Sequence, residues 1–521
     1  MKTVKLSSRL LILIATLWLT LAYCGPLLSS LNDYQTSLIA QMGFLFVIAC
    51  VYAVLFLIAR AFHCLKGAIF VLFTTAAVVT YWMNQYGVVI DPDMLINALE
   101  TDTSEASDLI SVKLILSVFL WGVVPAIVLI WMPVKPQPWV RTTLLSLGAG
   151  CILIAVAMGV LMTQYSEYSS LFRNHRDVKY RVIPFNVISA SVSVAKAKLS
   201  TPETFIALGQ DATQQPDNDK TPKVMVVIVG ETARADHFSS NGYPRPTTSG
   251  IEQLAQQGEL ISFTNATSCG TATAISVPCM FSFYQAENYD NRARSTSNVL
   301  DVLDHAGINV SWIENNSGCK NVCDRVEEIT AEDYCDSDQE CFDTRMLEVL
   351  KTKLANAKQD SIIVLHSMGS HGPAYYKRSP QALKKFLPEC TTIELNQCSV
   401  DTIKNAYDNS LIVTDKLVTG AINTLKEAPQ LDTSLMYISD HGESLGDNGV
   451  YLHGLPNWMA PDEQRHVPWI LWPANAWADR PDAAAKYPVN HDYLAHSLLG
   501  FFNVKTSLYQ PQLDLAEQLA P

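Results

Sequence analysis

Five apolar stretches crowd the first third of this 521-residue chain, over residues 10–28, 38–59, 67–86, 112–132 and 142–162. Each approaches the ~20 residues that an α-helix needs to cross ~30 Å of hydrocarbon. One such stretch alone would suit a buried core helix. Five in succession, with almost no charge inside, predict an all-α membrane domain of five transmembrane helices over residues 1–163. The flanking charges orient it. Lys2, Lys5 and Arg9 precede the first span, Arg60 and Lys66 follow the second, and Lys135 and Arg141 follow the fourth. The alternate loops, 29–37 and 87–111, carry no Lys or Arg, although Lys113 sits at the edge of the fourth span. The positive-inside rule then places the N-terminus in the cytoplasm and everything after Thr163 across the membrane. Leu21-Ala22-Tyr23-Cys24 has the outline of a lipoprotein cleavage site. Bulky Tyr23 stands where a small residue belongs, so the first span reads as an uncleaved anchor.

Cysteine usage agrees with that topology. Of 12 Cys, Cys24, Cys50, Cys64 and Cys151 lie in or beside spans, and the other eight lie beyond residue 260. An even number in close pairs suits an oxidising compartment. The short loops favour neighbour pairing: Cys269 with Cys279, Cys319 with Cys323, Cys335 with Cys341, and Cys390 with Cys398. A structural zinc site at Cys319, Cys323, Cys335 and Cys341 is the competing possibility. A formal net charge of −13 and the absence of any basic stripe argue against a nucleic-acid partner.

Residues 164–220 read as an interfacial connector and linker. Arg173, Arg176, Lys179 and Arg181 cluster there, as suits a membrane surface, and residues 210–222 have linker composition. Residues 221–521 read as one catalytic domain. Short β-branched runs at 224–229, 309–312, 361–365 and 434–439 alternate with helical patterns at 298–306, 343–357 and 402–427. That alternation predicts a C-terminal α/β domain with a mostly parallel central sheet.

Each buried run ends in residues able to ligate. Val229-Gly230 leads into Glu231, Ile313 into Glu314-Asn315-Asn316, Leu365 into His366 and then His371, and Ser439 into Asp440-His441. Ligands of open α/β sheets bind at the carboxyl ends of strands. Asp440 and His441 can both reach one metal ion, and Glu231 is a candidate third ligand, because zinc accepts carboxylate oxygen and imidazole nitrogen. The string Ser268-Cys269-Gly270-Thr271-Ala272-Thr273-Ala274 is built of small residues. A helix beginning there would aim backbone N–H groups at an anion. Thr271 reads either as a helix cap or as a nucleophile that a metal would activate.

Together these strings resemble the lipid A phosphoethanolamine transferases, which include the mobile colistin-resistance enzymes and belong to the alkaline phosphatase–sulfatase superfamily. The resemblance rests on residues 229–237, 268–282, Ser370-His371-Gly372-Pro373-Ala374-Tyr375, 439–448 and Gly449-Val450-Tyr451-Leu452-His453-Gly454. It implies zinc held by Glu231, Thr271, Asp440 and His441, with Thr271 accepting phosphoethanolamine. It places His371 and His453 near the substrate phosphate or a second metal. It assigns the headgroup to Asn316, Ser317 and Lys320, and further substrate contacts to Asn97, Thr101 and Glu105. Those last three are spaced to share one helix face. The implied donor is phosphatidylethanolamine and the implied acceptor lipid A, giving polymyxin resistance, with a monomeric chain in the bacterial inner membrane and its catalytic domain in the periplasm. Transfer to core sugars of lipopolysaccharide, or phosphoglycerol transfer on the same scaffold, are the alternatives. A sulfatase is disfavoured because neither Cys269 nor Cys279 sits in a Cys-x-Pro-x-Arg setting.

Overall fold

The computed structural model describes residues 5–101, 106–107, 109–135, 138–199, 204–216, 220–289, 291–335, 341–478 and 481–520. They form two compact units: Met1–Leu95 with Ile110–Lys196, and Ile96–Leu109 with Ala197–Pro521.

In the first unit, four helices are long and apolar enough to cross a membrane: Leu38–Ala61, Leu65–Tyr86, Val112–Trp131 and Trp139–Thr163. The fifth expected span is instead a bent pair, Ser8–Tyr23 and Gly25–Asp33, meeting at 51°. Pro26 stands at the start of the second helix of that pair. Its ring clashes with a continuing helix and it offers no N–H, so the helix breaks there. A second proline acts inside Val112–Trp131, where a π-helical turn, Val118–Val123, precedes Pro125. Pro125 cannot donate to the Trp121 carbonyl one turn back. The Tyr23 hydroxyl donates to that oxygen at 2.7 Å and the Trp18 indole at 3.2 Å. Hydrocarbon supplies no water for an orphaned carbonyl, so such side-chain donors are what make the proline tolerable. The connector is helical over Tyr165–Asn174 and Phe185–Leu199, and within it Arg181 pairs with Asp177 at 3.0 Å.

The second unit is built on an eight-stranded sheet. Its strands are β1 (Lys223–Gly230), β2 (Ile261–Thr267), β3 (Asn309–Glu314), β4 (Glu327–Thr330), β5 (Ser361–His366), β6 (Asp432–Ser439), β7 (His466–Trp472) and β8 (Val489–Asn490). Their spatial order is β8-β2-β7-β6-β1-β5-β3-β4. All neighbours are parallel except β7, which runs antiparallel to both β2 and β6. Strands β1, β5 and β6 sit in the middle and are buried almost end to end, which is why they read as continuous apolar runs. Helices such as Val299–His305, Met346–Asn356 and Val400–Lys426 pack around the sheet. Part of the segment with linker composition belongs to this unit: Thr213–Gln214 pairs with Val504–Lys505, and Asp211 accepts hydrogen bonds from Thr506 and Ser507. The four neighbouring cysteine pairs are all disulfides, so the cysteines form no zinc site.

Candidate active site

Strand register assembles the site. β1 and β6 run parallel with Gly230 opposite Ser439, so Glu231 and Asp440 leave the sheet side by side. Both carboxylates and the His441 imidazole are fully buried. One ligand atom from each of the three lies within 4.8 Å of the others. His441 Nδ1 donates to the Gly442 carbonyl at 2.9 Å, which turns Nε2 inward. There Nε2 lies 3.3 Å from Asp440 Oδ2 and 3.4 Å from Glu231 Oε1. Asp440 Oδ1 accepts from the backbone N–H groups of His441 and Thr232, at 2.7 and 3.2 Å. Asp440 Oδ2 is buried with no hydrogen-bond donor among the described residues.

The electrostatics show a centre that demands positive charge. Burial first, and then the Glu231 carboxylate, push Asp440 up to about 7. Burial opposes charging His441, yet Asp440 and Glu231 outweigh it and push the imidazole up to about 10. Against its own burial, Glu231 is held well below the usual carboxylate range by His441. Two buried carboxylates, one oriented imidazole and one orphaned oxygen form a donor set that fits a divalent metal ion.

The hydroxyl beside this cluster belongs to Thr273, not Thr271. Thr273 opens the helix Thr273–Met280, and its Oγ1 donates to Glu231 at 3.0 Å to Oε2 and lies 3.3 Å from His441 Nε2. Thr271 Oγ1 donates instead to the Leu455 carbonyl at 2.6 Å, and the Thr271 carbonyl accepts from Gly454 N–H at 2.7 Å. Thr271 therefore pins the loop that carries His453. The His453 ring lies 4.3 Å from that of His441 and 5.4 Å from that of His371. Its Nδ1 is 3.4 Å from the buried Glu443 carboxylate. Burial, with the charge of His441, lowers the pKa of His453.

Gly442 is a matter of space. Its φ is not positive, but a Cβ there would overlap the Glu463 carbonyl oxygen. A Gly442→Ala chain is expected to lose about 1–3 kcal/mol of stability. A scanning thermal melt of the full-length protein in detergent reads this as a fall of several degrees.

A family model described as phosphoethanolamine transferase EptA/EptB matches residues 47–199, and one described as sulfatase matches residues 223–504. Phosphoethanolamine transferase EptA of Escherichia coli K12 is 39% identical over 87% of this chain and 84% of its own length. The chain belongs to the phosphoethanolamine transferase family. Phosphatidylethanolamine transferase Mcr-1 of Escherichia coli is 38% identical over 90% of both chains. The structure of the integral membrane lipooligosaccharide phosphoethanolamine transferase A (EptA) from Neisseria meningitidis superposes with a TM-score of 0.93 at 31% identity, over 99% of this chain and 100% of that one.

Within this family frame the remaining expected residues divide. Asn316 turns its amide inward: Nδ2 donates to Glu231 Oε2 at 2.8 Å and to the Ser367 carbonyl at 3.0 Å. Lys320, with φ at 52°, folds its Nζ onto the Ser317 carbonyl at 2.8 Å, the Ser317 hydroxyl at 3.0 Å and the Glu100 carbonyl at 3.1 Å. Arg294 pairs with the Glu100 carboxylate at 2.6 Å. The helix bearing Asn97 ends at Glu100, and Thr101 Oγ1 caps back onto the Asn97 carbonyl at 2.9 Å. Thr101 thus lies one turn past Asn97 at the helix end, and Glu105 lies outside the described residues. No described hydrogen bond joins Asn97, Thr101, Ser317 or Lys320 to the Glu231 cluster.

Proposed function

We propose that the chain transfers phosphoethanolamine from phosphatidylethanolamine to a phosphate of lipid A, in the bacterial inner membrane, with its catalytic unit in the periplasm. The observation that carries this is the Thr273 hydroxyl, hydrogen-bonded to Glu231 at a helix N-terminus inside the buried Glu231–Asp440–His441 cluster. Relatives named for phosphoethanolamine and phosphatidylethanolamine transfer, at 39% and 38% identity, support the chemistry. The membrane-spanning first unit supports lipid substrates.

Glu231, Asp440 and His441 would hold zinc, which when bound would supply positive charge for the phosphate oxygens and acidify a nearby hydroxyl. Thr273 Oγ forms a bond to the phosphorus of the donor, and its proton passes to a neighbouring imidazole, His453 or His371. The bond from phosphorus to the diacylglycerol oxygen breaks, and that oxygen takes a proton from His453 or His371, the two imidazoles grouped there. An oxygen of a lipid A phosphate then bonds to the same phosphorus. The Thr273–phosphorus bond breaks, and Thr273 takes the proton that the attacking phosphate hydroxyl gives up through the same imidazole. N–H groups of the first turn of Thr273–Met280 face the transferring anion. Lys320, Ser317 and Asn97 with Thr101 stand as headgroup and lipid contacts, with Lys320 held in a loop closed by the Cys319–Cys323 disulfide.

Full-length protein in detergent, given phosphatidylethanolamine or phosphatidylglycerol with lipid A, tests the proposal by mass spectrometry. Diacylglycerol release and a phosphoethanolamine gain on lipid A are expected with the first donor alone. A gain only on core sugars, or phosphoglycerol transfer, would overturn the assignment. Cells expressing the chain are expected to resist polymyxin. Replacing Cys319 and Cys323 together by serine is expected to raise KM for the donor about tenfold, the scale of one charge-assisted hydrogen bond. Zinc content is expected to stay unchanged.

A further inference from the structure

A second buried pair stands behind the metal cluster. β3 and β5 run parallel with Glu314 opposite His366, so the two strand ends bring a carboxylate against an imidazole. Glu314 is 6% exposed and His366 is 0% exposed. His366 Nδ1 donates to Glu314 at 2.9 Å to Oε2 and 3.1 Å to Oε1. The Trp312 indole donates to Oε2 at 2.8 Å, and the Asn316 backbone N–H to Oε1 at 2.6 Å. The carboxylate is thus saturated with donors and holds the imidazole by its Nδ1–H, with Nε2 turned toward Asn316.

That Nε2 lies 3.3 Å from Asn316 Nδ2, the same nitrogen that donates to Glu231 Oε2 at 2.8 Å and to the Ser367 carbonyl at 3.0 Å. Asn316 Oδ1 accepts from Ser317 N–H at 2.7 Å. The two N–H groups go to the nearer acceptors, Glu231 Oε2 and the Ser367 carbonyl, so turning the amide over would set Oδ1 against both and the network permits one orientation; His366 Nε2 packs against that nitrogen, and Glu314 holds the Asn316 backbone N–H. No described hydrogen bond joins Glu314 or His366 to Thr273, and neither is needed for the proton and group transfers above.

We infer that Glu314 and His366 are positioning residues for the metal centre: through Asn316 they tether Glu231 Oε2, so that Oε1 is presented to the metal. This role presupposes zinc at Glu231, Asp440 and His441. Groups that orient a ligating side chain typically contribute 10–100-fold to metal affinity, and these act through a single amide.

Zinc affinity of the full-length protein in detergent, measured by competition with a chromophoric chelator, tests this without any turnover. His366→Asn keeps an amide donor for Glu314 but removes the ring nitrogen packed against Asn316 Nδ2. Its metal-free melting temperature is expected to stay within a few degrees of the parent. His366→Asn and Asn316→Ala are each expected to weaken zinc about 10–100-fold. The double variant is expected to be no weaker than the worse single one, because both act on one tether. Glu314→Gln, of equal volume, is the second variant and is expected to shift affinity in the same direction. Singles that leave affinity within about threefold, or losses that multiply in the double variant, would overturn the inference. A parent that binds no zinc would remove the metal assignment itself, a result distinguishable from a parent that binds while its variants do not differ.

Discussion

Thr273→Ala is expected to lower turnover by at least about 10⁴-fold and to abolish the covalent phosphoethanolamine adduct, whereas Thr271→Ala keeps the adduct on Thr273. Removal of a nucleophile that acts as a unit with its neighbours costs that much or more. The geometry gives the two hydroxyls different work. Thr273 Oγ1 donates to Glu231 at 3.0 Å, inside the Glu231–Asp440–His441 cluster. Thr271 Oγ1 is spent on the Leu455 carbonyl at 2.6 Å. Losing the latter bond loosens the loop of His453 and leaves a buried acceptor unpaired, a cost of about 1–3 kcal/mol. Thr271→Ala should therefore slow transfer moderately and leave the chemistry in place. Peptide mapping of protein incubated with phosphatidylethanolamine separates the two, since both residues fall in one fragment but fragment ions place the added mass. An adduct on Thr271, or one that survives in Thr273→Ala, would reverse the assignment.

Why the sequence pointed two residues short has a physical reason. Ala272 is extended, with φ −148° and ψ 143°, so Thr271 and Thr273 alternate onto the same side of the chain. Small neighbours surround both, and patterns of residue type place helix starts only to within one or two residues. What separates them is that Thr273 begins the helix, a fact of backbone geometry. The cluster itself was legible because each ligand follows a continuous apolar run. Glu231 follows β1, and Asp440 and His441 follow β6, both central strands whose burial on two faces leaves an unmistakable pattern. The strands that sequence missed, β2, β4, β7 and β8, are at or beyond the margin of that pattern. β7, His466–Trp472, runs antiparallel and carries Pro468 at a register shift between Val467 and Trp469. A proline inside a strand argues against a strand unless a bulge accommodates it. β8 has only two residues, Val489–Asn490. Asn316 shows the converse limit. Its position just past the end of β3 was readable, but its amide faces Glu231 because of hydrogen bonds to residues that follow β1 and β5, which no local pattern reveals.

Stripping the metal is expected to abolish transfer, by at least about 10³-fold, with recovery on adding zinc to the parent but not to Asp440→Asn. The expectation follows from the charges. Glu231 and Asp440 are fully buried beside each other, and water cannot screen them. In the free site the compensating charge is a proton on His441, pushed up to about 10 by Asp440 and Glu231 against the penalty of burial. A metal needs the neutral imidazole, so it competes with that proton. The sign follows: because the pKa of His441 is raised in the free site, the proton is held at neutral pH, and zinc affinity rises with pH until His441 loses it unaided near 10. Each unit of pH lowered between about 9 and 8 should weaken apparent zinc affinity about tenfold, one proton being released per metal bound, and the slope should steepen toward 7 as Asp440 takes up its own proton. Calorimetric titration in two buffers of different ionisation enthalpy counts that proton. Asp440→Asn removes one of the two carboxylates that hold it, so both the affinity and its slope with pH should fall together. An affinity that is flat with pH in the parent would show that His441 is not a ligand, and an Asp440→Asn chain that recovers full turnover with zinc would remove Asp440 from the set.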